Sequence, residues 1–399
     1  MRIAIDLRPL QTGHEFRGIG MYLVNLLRNM NLDSDEHEYV FVQYDSSDPL
    51  LDYSISFKPD SKFVKIPKQE FQSSKFYIQA YLNNEFGDLK KYLPDVYFQP
   101  DFQLGFPNIR GLKKVLTVYD LIPLLFRDLY LPKWINVMKD KRFGKKARVK
   151  QTISAWLRSH KYSTSLRSLK SADVLLCISE STANDVQEYL KIQAGKIVVT
   201  PLSPVVTTQK EERPSSLPEA TKKYILYYGG TDERRRLAEL VQGFNIYRGR
   251  NQDSQLELVF AGNELKKISK IPNIDLREAI DKSSYQSSIH LLGFITEEEK
   301  KWLLKHAEAF VYPSLYEGYG LPVAEAQALN CRVIAPNNSS LRELLGVDDI
   351  VLTDTEPRAI FDSLAVLRST QKRSSTSSKN SSISWSDTAQ LTKEVLEKK

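Results

Sequence analysis

Glu317 and Glu325 flank a pair of glycines, Gly318 and Gly320, in the stretch EGYGLPVAE. Ahead of them the apolar run Phe310-Val311-Tyr312 is stopped by Pro313. Behind them Pro322 opens a helix through Ala324, Glu325, Ala326, Ala328 and Leu329, and Val333-Ile334-Ala335 follows. Strand, glycine loop, helix, strand is a βαβ unit. Proline in the first helical turn costs nothing there, because that N–H has no intrahelical partner. The glycines let backbone approach a ligand closely, and the N–H groups of a helix start favour an anion. A carboxylate repels a phosphate, so the two glutamates suit hydroxyls lying on either side of it. Hydroxyls, a diphosphate and more hydroxyls describe a nucleotide sugar. The same spacing also fits an ordinary βα loop with solvated glutamates, since one glycine-rich loop is a weak signal.

Other elements must carry that unit. Ile3 to Leu7 alternates as a buried first strand, and Arg17-Gly18-Ile19-Gly20 opens a helix with Tyr22, Leu23, Leu26, Leu27 and Met30 at the helical period. Strand, Gly-x-Gly, helix invites a dinucleotide reading, but the third glycine is missing: Tyr22 and Leu23 stand where it would be. Strands are expected at Tyr39–Tyr44, Phe63–Ile66, Val96–Gln99 and Val115 to Val118, with a helix near Phe76–Tyr92. Tyr119 and Asp120 come next, and the plain role for Asp120 is to cap the turn that follows. Val174 to Ile178 reads as a strand covered on both faces. Ser179 then caps a helix through Leu190, and Ile197-Val198-Val199 closes a first domain, 1–206.

Thr207 to Lys223 lacks apolar periodicity and leads into a second domain, 207–383. It opens with a strand from Tyr224 to Tyr228, then Gly229-Gly230-Thr231-Asp232-Glu233 and the arginines Arg234, Arg235 and Arg236. Adjacent arginines point in different directions, so at most two of them can reach one ligand. Leu256–Gly262, Ile289–Phe294 and Phe310–Tyr312 are further strands. Ser369 to Ser384, rich in Ser and Lys, reads as a flexible stretch.

At 399 residues the chain has room for two domains, each with its own core, and 41% hydrophobic with 26% charged residues is a globular composition. Cys177 and Cys331 both lie in apolar runs, which argues against a disulfide framework and for a reducing compartment. MRIAIDL carries Asp6 inside its apolar run and reads as a strand, and no run approaches the ~20 residues that span a bilayer. The net charge of +7 is uneven: from Lys133 to Lys170 stand twelve Lys and Arg against one acid, Asp140. Trp134, Ile135, Val137, Met138, Phe143, Trp156 and Leu157 interleave with them, as in a helix lying on anionic lipid. A solvated basic face has the same composition. Nucleic acid finds no support, because no zinc spacing, RNP-like run or helix-turn-helix pattern is present.

Within EGYGLPVAEA, the pair Glu317 and Glu325 resembles the signature of the retaining glycosyltransferases of family 4, which have the GT-B fold. The likeness extends back through Leu291-Leu292-Gly293-Phe294 and forward to Ser339-Ser340-Leu341-Arg342-Glu343-Leu344. It implies that Glu317 contacts the donor sugar, that Glu325 binds the ribose hydroxyls, and that the backbone of Gly318, Tyr319, Gly320 and Leu321 holds the diphosphate. The run RGIGMY resembles a loop of polysaccharide-building members, which puts Gly18 and Gly20 near diphosphate and acceptor. Tyr119 stands where many members have a His beside the transferred sugar, and Tyr-Asp-Leu-Ile-Pro resembles mannosyltransferases of surface polysaccharides. That exchange removes an imidazole titrating near neutrality, so no His acid or base is expected. Gly229 and Gly230 resemble the family's glycine turn, with Arg235 at the position of a phosphate-pairing Lys and Arg234 beside it. Ser384-Trp385-Ser386-Asp387 resembles the closing helix, 384–399, that packs back on the first domain.

The expected fold is therefore α/β: two Rossmann-like domains facing across a cleft, with the C-terminal helix returning to the first. The resemblance implies a retaining hexosyltransferase with Glu317, Arg235 and Asp120 as its catalytic groups. The donor is expected to be GDP-mannose or a UDP-hexose and the acceptor a glycan or a lipid-linked glycan in surface polysaccharide synthesis. No Asp-x-Asp metal site is evident, and the resemblance implies neither metal nor other cofactor. The expected place is the cytoplasm, with the inner face of the cytoplasmic membrane touched through residues 133–170. An inactive glycosyltransferase-like binding subunit and a basic peripheral membrane protein are the alternatives. Intact Glu317 and Glu325 speak against the second.

Overall fold

Seven apolar runs of the first half pair as one parallel sheet: β1 (Arg2–Asp6), β2 (Glu38–Tyr44), β3 (Lys62–Ile66), β4 (Val96–Gln99), β5 (Lys113–Val118), β6 (Val174–Cys177) and β7 (Ile197–Val199). Their order is β3-β2-β1-β4-β5-β6-β7. The computed structural model describes residues 1–12, 18–45, 53, 55–67, 86, 88–133, 135, 138, 144–252, 254–369 and 383–398. A second parallel sheet, β10-β9-β8-β11-β12-β13, is built from β8 (Tyr224–Tyr228), β9 (Glu257–Ala261), β10 (Ile289–Leu291), β11 (Ala309–Val311), β12 (Val333–Pro336) and β13 (Ile350–Leu352). The chain divides into two units, Met1–Leu202 with Ile383–Lys399, and Ser203–Ser382. Each sheet starts at an inner strand, runs outward in one direction, then returns to the other side of that strand. This is the doubly wound α/β arrangement, in which ligands bind at the carboxyl ends of the strands where the order reverses.

In the first unit that reversal lies between β1 and β4, which pair from Ile3–Val96 to Ile5–Phe98. In the second it lies between β8 and β11, paired Ile225–Ala309 and Leu226–Phe310. β8 and β11 are buried along their whole length, the pattern of strands covered on both faces. Tyr224, Tyr227, Phe244, Phe260, Phe310 and Tyr312 are the largest side chains of this core. Gly293, at φ +76, ends the strand expected over Ile289–Phe294 at Leu291 and leaves Phe294 exposed. The helix expected near Phe76–Tyr92 falls largely outside the described residues, and its end, Leu89–Tyr92, is a 3-10 turn closed by Leu93 in the left-handed region. Residues 370–382 of the expected flexible stretch also lie outside the described residues.

The closing helix, Trp385–Glu397, starts with a capping box of Ser384 and Asp387. Its buried face, Thr388, Ala389, Thr392 and Leu396, packs within the first unit, where Thr388 Oγ1 donates to the Pro201 carbonyl at 2.5 Å. Lys393 pairs with Asp35 at 2.6 Å and Glu397 with His37 at 3.1 Å. Trp385 lies 6.1 Å from Tyr22 on the helix Gly18–Asn29. Leu396 has no exposed surface. Leu396→Ala should therefore lower the stability of the first unit by about 2–5 kcal/mol in denaturant unfolding, the range for a buried leucine truncation.

Candidate functional site

The site of the second unit grows from the loops after β8 and β11. After β8 the chain turns through Gly229 at φ +141, where a Cβ would collide with the Arg235 guanidinium. Only glycine suits both that angle and that contact. Thr231 ties the loop down by donating its N–H and hydroxyl to Glu264, at 3.0 and 2.6 Å. Glu233–Arg235 forms a 3-10 turn capped by Asp232, and Arg236 then enters the left-handed region at φ +51 before the helix Leu237–Arg250. That break splits the three arginines. Arg236 turns away to Glu239 and Glu356, at 2.8 Å each, while Arg234 and Arg235 face Glu317.

After β11, Ser314 to Glu317 runs directly beneath those two guanidiniums. Arg234 Nη1 donates to Glu317 Oε1 at 2.5 Å, to the Tyr316 carbonyl at 2.6 Å and to Ser314 Oγ at 3.1 Å. Ser314 Oγ donates to the same Glu317 oxygen at 2.8 Å. The Glu317 N–H is accepted by Ser339 Oγ at 3.0 Å, and its carbonyl accepts from Ser340 Oγ at 2.8 Å. Both the backbone and the side chain of Glu317 are thus fixed. Arg235 Nε lies 3.8 Å from Glu317, its Nη1 donates to the Tyr227 hydroxyl at 3.0 Å, and its guanidinium sits 5.4 Å over the Tyr312 ring. Glu317 is 7% exposed, so burial favours its neutral form, but Arg235, Arg234 and Ser314 outweigh it and hold the carboxyl below the usual range.

Gly318 to Gly320 lead into the helix Leu321–Ala328, with Pro322 in its first turn. Gly320, at φ +96, is its N-cap, and a Cβ there would stand 2.7 Å from Leu341 Cδ2. Glu325 belongs to a different pairing. Its Oε2 accepts from the Tyr228 hydroxyl at 2.5 Å and lies 3.1 Å from Lys300 Nζ. Burial pushes the Glu325 carboxyl up, against the pull of Lys300 and Tyr228. One carboxylate is held down and the other pushed up, the kind of divergence that separates chemical roles.

The first unit holds Tyr119 and Asp120 at the carboxyl end of β5. Asp120 Oδ1 accepts the Ile122 N–H at 2.9 Å, an Asx turn one residue ahead of Leu121, the N-cap of the short helix Ile122–Leu125, which has no side-chain cap bond. The Tyr119 ring meets Tyr22 edge-on at 5.3 Å, and its buried hydroxyl has no hydrogen-bond partner among the described residues. Gly18 and Gly20 lie in the first turn of the helix Gly18–Asn29; Arg17 is outside the described residues. Ser314, Lys300, Tyr228, Tyr227 and Glu264 went unnoticed in the sequence. Each sits in a segment whose local pattern already explains it, as strand, turn or solvated helix. Ser339 and Ser340 were visible only through the extended likeness.

Arg234→Met should cost the second unit about 3 kcal/mol, the low end for removing one partner of a buried ion pair, because Arg235 stays close. Glu317 has a lowered folded pKa, so its contribution is present above the unfolded value and lost as pH falls through the folded one. Unfolding at pH 7 and pH 4 should therefore show the wild-type advantage shrinking at the lower pH.

Residues 208–381 match the family described as glycosyl transferases group 1. The chain is 27% identical over 210 residues to the O-antigen chain mannosyltransferase B of Escherichia coli, covering 51% of this chain and 53% of that protein. It is 24% identical over 294 residues to the serotype-specific mannosyltransferase WbdA of Escherichia coli, covering 70% of this chain and 32% of the other. It thus spans about half the length of the first and a third of the second. Among solved structures it resembles Anabaena Alr3699/HepE in complex with UDP and glucose (TM-score 0.64, 13% identity, 100% of both chains). It also resembles WaaG, a glycosyltransferase involved in lipopolysaccharide biosynthesis (TM-score 0.56, 14% identity, 99% of this chain and 96% of that one). The chain thus has two parallel-sheet, Rossmann-like domains with the fold of these glycosyltransferase structures, GT-B, and residues 208–381 of it, less than half of its length, resemble the glycosyl transferases group 1 family.

Proposed function

We propose that this chain is a retaining hexosyltransferase. It moves mannose, or failing that another hexose, from a nucleotide-diphosphate sugar to a glycan or lipid-linked acceptor in surface polysaccharide synthesis. The observation that carries the reading is the buried cluster of Arg234, Arg235 and Glu317 at the strand-order reversal between β8 and β11, beside the glycine loop. Two guanidiniums match the charge of a departing diphosphate, and cations placed where charge develops are the largest electrostatic lever on such a step. The loop from Gly318 to Leu321 adds a helix start, and Glu317 accepts hydrogen bonds from sugar hydroxyls. Glu325 serves the ribose. The glycosidic C–O bond to the leaving phosphate breaks while the acceptor oxygen bonds on the same face, and the leaving phosphate takes the acceptor proton. The mannosyltransferase names of the relatives favour mannose as the transferred sugar, and GDP-mannose is the donor we propose, ahead of a UDP-hexose.

Glu317→Ala should lower turnover on the order of a hundredfold with an unchanged circular dichroism spectrum, an effect confined to the transition state. A calorimetric screen of GDP and UDP sugars against wild type and Arg235→Ala identifies the donor. Nucleotide-sugar binding without any turnover would favour the inactive-subunit reading, and binding of none would sink the site assignment.

The acceptor reading has its own support in the first unit. The helix Lys145–Lys170 buries Ala155, Tyr162, Ser165 and Leu169 and turns Val149, Ile153 and Trp156 outward, 57%, 51% and 49% exposed, beside Lys146 and Lys150. Ile135 and Met138 are exposed just upstream; Trp134, Val137 and Phe143 lie outside the described residues. Among the described residues no helix is long and apolar enough to cross a membrane. An apolar stripe edged by lysines fits an anionic bilayer, each cation near the surface adding about 1 kcal/mol. The working place is then the inner face of the cytoplasmic membrane. The protein should co-sediment with anionic vesicles and not neutral ones, and should be released near 1 M salt, where screening shortens to about 3 Å. Equal binding to both lipids, or to neither, would favour a soluble acceptor.

A further inference from the structure

The helix Glu297–His306 opens with three glutamates and two lysines, a run that reads as solvated. Lys300 departs from that reading. Its side chain is 13% exposed, and Nζ lies 2.8 Å from Glu297 Oε2, 3.1 Å from Glu325 Oε2 and 5.8 Å from the centre of the Tyr228 ring. Burying an ammonium is costly unless it is paired and hydrogen-bonded. Here two carboxylates pair it, and one of them is the glutamate assigned to the donor ribose. Both contacts that anchor Glu325, from Lys300 and from Tyr228, fall on Oε2. Among the described residues no hydrogen bond to Oε1 is found, so that oxygen keeps its acceptor capacity in a fixed direction.

We propose that Lys300 is the positioning residue of the nucleoside subsite: it holds the Glu325 carboxylate ionised and turned so that Oε1 accepts from the ribose diol of the donor. The inference rests on the assignment of Glu325 to the ribose. The charged and titratable groups facing Glu325 are Lys300 and Glu297 from the helix Glu297–His306 and Tyr228 from the end of β8. Lys300 is the cation among them, while Glu297 opposes ionisation and burial raises the carboxyl further. Without the ammonium, Glu325 takes up a proton at a higher pH and loses the form that accepts two hydroxyl protons.

Calorimetry with GDP and UDP from pH 5.5 to 8.5 tests this on wild type, Lys300→Met, Lys300→Gln, Lys300→Arg and Glu325→Gln. The ligand's own phosphate titration is common to all of them and cancels in the comparison. Lys300→Met and Lys300→Gln should bind nearly as wild type at pH 8.5 and fall behind it by up to about tenfold per pH unit once Glu325 protonates. Lys300→Arg should restore the wild-type profile, and Glu325→Gln should be weak with no pH dependence beyond that of the ligand. With 2′-deoxy nucleoside diphosphates the gap between wild type and Lys300→Met should narrow. A Lys300→Gln profile parallel to wild type, whether equal or uniformly weaker, would overturn the positioning role and leave Lys300 as a structural ion pair. Unchanged affinity in Glu325→Gln would instead overturn the ribose assignment itself, whatever the lysine variants show.

Discussion

A carboxylate that is 7% exposed has to be paired, and in the second unit this one requirement organises the site. Glu317 takes Arg234 as its direct partner and Arg235 as a second, more distant cation. Ser314, Ser339 and Ser340 fix its side chain and backbone. Such a pair is weak evidence for stability, since well-packed apolar residues of similar volume often do as well. Its presence at a sheet's strand-order reversal is better explained by what it prepares: two guanidiniums already oriented and already desolvated. On the proposed reading, a diphosphate arriving there meets cations that need no reorganisation.

Arg235 is the more constrained of the two. It is held between the Tyr227 hydroxyl and the Tyr312 ring, below a residue that has to be glycine for it to fit. A lysine could not make the same planar contacts, so the arginine at this position belongs with its aromatic surroundings. Those rings are core residues of β8 and the segment after β11, and the packing of the sheet and the placement of the cation are therefore one problem. The left-handed Arg236 completes the arrangement by sending the third charge to the opposite side.

Glu325 shows a contrasting solution within the same βαβ unit. Its pairing with Lys300 and Tyr228 leaves burial dominant, and its carboxyl is pushed up where that of Glu317 is held down. The two glutamates share a motif but not an environment. Different neighbours, drawn from different elements, separate their electrostatics.

Most strands were legible in the sequence because apolar runs bounded by Gly, Pro and Ser have few other uses, and the two doubly wound sheets follow from strands alternating with helices. The glycine loop, Pro322 and the spacing from Glu317 to Glu325 were legible for the same reason: they are local, and local backbone constraints are written in residue types. Asp120 was legible as a turn residue, and its carboxylate accepts from Ile122 two residues on, although the N-cap of the helix that follows is Leu121. Partnership between distant residues was not legible. Arg234 and Glu317 are brought together only because β8 and β11 are neighbours in the sheet, and the parting of Arg236 from the other two arginines goes with its left-handed backbone. Lys300 stands in the charged run Glu297-Glu298-Glu299-Lys300-Lys301, whose local pattern is that of a solvated face, and only its contacts with Tyr228 and Glu325 take it out of water. The sequence by itself determined which segments would be strands, loops and helix starts, since φ/ψ preference and hydrophobic period act over a few residues. The tertiary structure decided which charges would meet, because burial and pairing depend on neighbours that the chain supplies from tens of residues away.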